Sequence, residues 1–99
     1  MGNEEYEQYH IIIEGIETDI EIVPSALKHG KSTEDILSVL KRAVYDETLT
    51  TDPNKTLVVG FDANANLTEI IFLVLAEGEI IVYHAMPCRK IYMDKAILR

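Results

Sequence analysis

Near the carboxyl end, a histidine, two cations and a tyrosine fall within nine residues: His84-Ala85-Met86-Pro87-Cys88-Arg89-Lys90-Ile91-Tyr92. The order reads as a strand end passing through proline into a helix that opens on Arg89 and Lys90. A helix N-terminus carries partial positive charge, and two full cations beside it favour an anion such as a phosphate. Tyr92, three residues after Arg89, shares its side of the helix. His84 has the strand parity of Ile80 and Val82, so taken alone it reads as a core or rim histidine. Its imidazole is also the side chain suited to proton transfer near neutral pH.

Other constellations are weaker. His10, His29 and His84 are scattered, with no His-x-x-x-His pair, and Cys88 is cut off from His84 by a proline. A zinc site needs three or four converging ligands, so neither metal nor cofactor is expected. Cys88 at a helix start beside two cations has the setting of an activated thiol, but the reading preferred is a small buried hydrophobe. The five glycines form no Gly-x-Gly-x-x-Gly and no Walker loop, which leaves nucleotide cradling unsupported.

The elements that must position these groups come from a chain of 99 residues, 47% hydrophobic, with 9 Lys plus Arg against 17 Asp plus Glu and a net charge of −8. That is the size of one domain, 1–99. No apolar run reaches the roughly 18 residues of a membrane helix, so no membrane partner is expected. A single cysteine excludes an internal disulfide framework. The first six residues lack the order of a secretory signal, which makes the cytoplasm the expected compartment. Residues 1–27 contain seven acids and no Lys or Arg, whereas the rest is nearly neutral. Lys28, Lys31, Lys41 and Arg42 form one basic cluster and Arg89, Lys90, Lys95 and Arg99 another, in surroundings where most charges simply solubilise.

Residues 8–14 and 19–23 read as a hairpin at a sheet edge, with Ile20 and Ile22 inward and Asp19, Glu21 and Val23 outward. The Ile-rich stretch 11–13 would pair with a second copy across a two-fold axis or lie under a loop. A short turn from Pro24 closes at Gly30. Ser32 and Asp35 then form a capping-box pattern before Ile36, Leu37, Leu40, Ala43 and Val44, predicting a helix over 33–44. Strands follow over 45–50, 55–62, 67–76 and 79–84, joined by turn-rich links of antiparallel type. Residues 70–75 are apolar on both faces and mark a central strand. A helix over 88–98 closes the chain, with Ile91, Tyr92 and Ile97 partly buried. The predicted fold is α+β: an antiparallel meander of four or more strands with an N-terminal hairpin, one capped helix and a C-terminal helix.

Two blocks, Pro24 through Ile36 with its Lys28-His29-Gly30 turn, and His84 through Lys90 with Tyr92, resemble the BrnT-like toxins of bacterial type II toxin–antitoxin modules. The resemblance spans residues 20–97 and leaves 1–18 as an acidic N-terminal extension. It implies a RelE-type fold and a metal-independent endoribonuclease held inactive by a DNA-binding antitoxin, of ribbon-helix-helix type. Carried onto this chain it implies His84, Arg89 and His29 as catalytic residues, and Lys28, Lys90 and Tyr92 as RNA contacts. Those residue types suit the reaction: histidines move protons, arginine grips phosphate oxygens, and a tyrosine stacks on an unpaired base. The net charge of −8 opposes binding of a polyanion and suits a basic protein partner, and so supports the alternative of a non-catalytic interaction domain on the same fold. In either case the acidic extension is expected as an edge hairpin that shields the basic patch or repels RNA.

Overall fold

Alternating isoleucines build the first hairpin. In the computed structural model, which describes residues 7–98, strand β1 (Glu7–Ile13) pairs antiparallel with β2 (Ile16–Ile22). Ile11 and Ile13 turn toward the core while Ile12 faces solvent. A 3-10 turn (Pro24–Leu27) leads to α1 (Thr33–Lys41), followed by β3 (Ala43–Thr51), β4 (Asn54–Phe61), β5 (Leu67–Val74), β6 (Ile80–Pro87) and α2 (Lys90–Leu98). The strands form one sheet in the order β1-β2-β6-β5-β4-β3. The fold is α+β, and its pairs are antiparallel except β2 with β6, where Ile20–Ile22 run parallel to Ile80–Val82. That join between distant segments makes β2 interior, so only β1 is the outer edge on that side. The boundary between extension and core at residue 18 falls inside β2, and residues 1–6 of the extension, with Arg99 of the second basic cluster, lie outside the described residues.

One face of the sheet carries α1. Ile36, Val39 and Leu40 from the helix meet Ile20, Ile22, Val58, Ile70, Phe72, Ile80, Val82 and Ala85, all buried. Burying each such side chain is worth about 1.5–3 kcal/mol. The capping box forms as its spacing requires: Ser32 Oγ accepts the Asp35 N–H at 3.1 Å and Asp35 Oδ2 accepts the Ser32 N–H at 2.9 Å.

Helix α1 stops at Lys41, short of the expected Val44, because Ala43 already pairs with Gly60 in β4. The approach is so close that a Cβ at Gly60 would lie 2.8 Å from the Arg42 carbonyl oxygen, so a side chain at 60 forces the helix end off the sheet. At the other end, β6 runs past the expected 79–84 and ends at Pro87, the proline that the sequence marks as the close of the final strand, and α2 begins at Lys90 rather than at residue 88.

The far face is covered at one end by α2, which contacts β3 and β4. Leu57 and Val59 are fully buried there. Tyr92 is partly buried, as the sequence predicts, but Ile91 and Ile97 are 64% and 63% exposed, and Met93 and Ala96 are partly buried in their place. Among the described residues, no helix is long and apolar enough to cross a membrane.

Candidate functional site

Pairing between β5 and β6 places the central histidine. Ile71 lies opposite His84, yet the next residue, Phe72, lies opposite Val82, so Tyr83 is an extra residue in β6. Such a bulge re-aims the side chains after it. His84 therefore leaves the core parity of Ile80 and Val82, which the sequence assigned to it, and joins Glu69 on the face away from α1.

Glu69 is the hub. Its side chain is 0% exposed in a strand of otherwise apolar and hydroxyl residues. Oε2 accepts from His84 Nε2 at 2.9 Å and from Arg89 Nη2 at 2.6 Å. Oε1 accepts the Arg89 backbone N–H at 2.9 Å, and the Arg89 Nε bridges the two oxygens at 3.2 and 3.1 Å. Burial pushes the Glu69 carboxyl up, but the donors of Arg89 and the bond from His84 outweigh it and hold the group below its ordinary value. The same carboxylate raises the Arg89 guanidinium above its own.

The strand-to-helix junction thus holds an anion, and the anion is the protein's own. Arg89 is not the open phosphate fork the sequence suggested, because Nε and Nη2 are engaged by Glu69. Its side chain is still 49% exposed, and the guanidinium carbon sits 5.4 Å from the centre of the Tyr92 ring, a cation–π contact. Lys90 does not join them; its Nζ pairs with Asp94 at 3.1 Å in solvent. Cys88 is partly buried, and burial together with the charge of Glu69 pushes its thiol up, the reverse of activation.

His29 arrives from the other side of β6. Where β2 ends, the Val23 N–H donates to the Val82 carbonyl and Ser25 Oγ to the Tyr83 carbonyl, which pins the 3-10 turn along the free edge of β6. Gly30, at φ +88°, turns the chain back toward α1. The His29 ring meets His84 edge-on, with centroids 5.9 Å apart and planes at 66°. His29, His84, Glu69, Arg89 and Tyr92 therefore form one contiguous chain of contacts, drawn from the turn, β6, β5 and the start of α2. Lys28 is exposed beside His29 and makes no ion pair with a described residue. Two adjacent imidazoles offer one proton acceptor and one donor.

Sequence reasoning passed over Glu69, although a lone carboxylate inside an apolar central strand is a signal in itself: such a group is buried only when paired. It also passed over Asp62, buried after β4, which accepts the Asn64 and Asn66 N–H groups at 2.9 and 2.8 Å and Lys31 Nζ at 2.6 Å. His10 stands apart on β1, bridging Asp19 at 2.6 Å and Glu17 at 3.3 Å. A cavity of about 400 Å³ opens beside it, lined by Asp19, Glu21, Glu79 and Ile81, and its carboxylates disfavour a phosphate. Among the described residues, no group of three His, Cys, Asp or Glu side chains is placed to hold a metal ion. Comparison with known proteins gives no match: no family model, no curated protein and no solved structure matches this chain.

Proposed function

We propose that the chain is a metal-independent endoribonuclease, the cytoplasmic toxin of a module of the kind that BrnT-like proteins form, with an antitoxin as its protein partner. The observation that carries the reading is the edge contact of the His29 and His84 rings at 5.9 Å, with His84 held on a buried carboxylate. In the reaction, one imidazole takes the proton of a ribose 2′-hydroxyl, whose oxygen attacks phosphorus. The other gives a proton to the departing 5′-oxygen, leaving a 2′,3′-cyclic phosphate and a 5′-hydroxyl. Lys28 meets the charge developing on phosphorus, and the exposed side of Arg89 over Tyr92 offers a stacking surface for a base. The test is incubation of end-labelled single-stranded RNA with the purified chain in EDTA. Cyclic-phosphate ends formed by the wild type and lost in His84→Ala support the reading.

A second reading rests on Glu69 filling the anion site and on the net charge of −8: a non-catalytic interaction domain whose acidic surface holds a basic partner. Intact RNA in the same assay, with harmless expression and tight binding to the product of an adjacent gene, favours this alternative.

A further inference from the structure

Among the described residues, every donor on Glu69 comes from His84 or Arg89. Both oxygens of Glu69 accept N–H groups of Arg89, whose guanidinium is always charged, so the carboxyl is ionised, and an ionised carboxylate only accepts hydrogen bonds. The bond of 2.9 Å to His84 must then be donated by Nε2, whether the ring is neutral or charged. Neutral His84 is confined to the tautomer with the proton on Nε2 and a lone pair on Nδ1.

We propose that Glu69 is a positioning residue, holding the Nε2–H of His84 on its carboxylate so that any proton exchanged with a substrate passes through Nδ1. The same oxygens fix Arg89, so one buried group sets the ring orientation of His84 and the start of α2 together. The catalytic consequence rests on the ribonuclease reading; the tautomer does not.

Nitrogen-15 shifts of the imidazoles in the full-length chain, with the His84 signals assigned by their loss in His84→Ala, test the proposal without RNA. With the ring neutral, the expected result is a protonated Nε2 and a bare Nδ1. A bare Nε2 overturns the proposal whatever the chain does to RNA. In Glu69→Gln the side-chain amide can accept or donate, and the two nitrogen shifts should move toward each other as the tautomers mix. Unchanged shifts in a folded Glu69→Gln protein also overturn it, and should that variant not fold, the wild-type spectrum decides alone. In the RNA assay, kcat of Glu69→Gln should fall about 10- to 100-fold with KM changed much less. Full kcat retained with RNA cleaved by the wild type defeats the positioning role and spares the nuclease. No cleavage by the wild type with Nε2 protonated defeats the nuclease and spares the assignment of the imidazole.

Discussion

Two buried carboxylates, Asp62 and Glu69, lie seven positions apart and do different work. Asp62 closes a loop on itself: its donors are the N–H groups of Asn64 and Asn66, the largely buried Lys31 and, at 3.4 Å, the Thr68 hydroxyl. Glu69 faces outward through its partners, since His84 and Arg89 are 21% and 49% exposed and lead on to His29 and Tyr92. A buried charge whose donors are loop N–H groups and a buried lysine fixes a loop, whereas one whose side-chain donors are partly exposed orients groups that meet solvent. The distinction rests on what the donors touch next, because burial is the same for both.

The largest effect that sharpens this contrast is on cleavage. His84→Ala should lower RNA cleavage by about 10²- to 10⁴-fold at a cost to stability of about 1–2 kcal/mol, because Glu69 loses one donor and keeps those of Arg89. Asp62→Ala should do the opposite. It leaves Lys31 buried without its partner and two loop N–H groups without an acceptor, at a cost of about 3 kcal/mol in urea denaturation, yet it should cleave normally at temperatures where it is folded. Cleavage lost in a folded Asp62→Ala protein would break the comparison.

Acid offers a smaller test. Burial alone would raise the Asp62 carboxyl, but Lys31 and the two N–H groups outweigh it and bring its pKa from 3.8 to about 2. A carboxyl depressed by folding contributes stability above its unfolded value, and that contribution is lost as pH falls through the folded one. The stability supplied by Asp62 should therefore be complete above about pH 4 and decline toward about pH 2. Asp62→Asn should flatten this part of the curve measured by chemical denaturation.

Much of the scaffold was legible because it depends on local pattern. Ser32 and Asp35 are spaced for a capping box, and the two-faced apolar run over 70–75 marks a strand between neighbours. What escaped depends on pairing between distant segments. The parallel join of β2 to β6 leaves no periodic trace, and the early end of α1 follows from the contact of Gly60 with Arg42. At the site, the junction residues announced an anion, but one extra residue at Tyr83 decided which face His84 took. The identity of the anion was written in Glu69, a carboxylate in an apolar strand that pattern alone treats as an interruption.

The smallest effect tests whether the two regions are independent. Asp35 bonds the Ser32 N–H through Oδ2 and the Ala63 N–H through Oδ1 at 3.1 Å, so the cap of α1 is tied to the residue after Asp62. Ser32→Ala removes the acceptor for the Asp35 N–H and should cost about 1 kcal/mol. Combined with Asp62→Ala, the loss should depart from additivity by about 0.5 kcal/mol or more, because both changes loosen one loop. Combined with His84→Ala it should add within about 0.3 kcal/mol, since the cap and the Glu69 network share no partner among the described residues. A measurable coupling between Ser32 and His84 would mean that α1 and the loop after β4 transmit strain across the sheet to the imidazoles, and the division between a structural and a functional carboxylate would have to be given up.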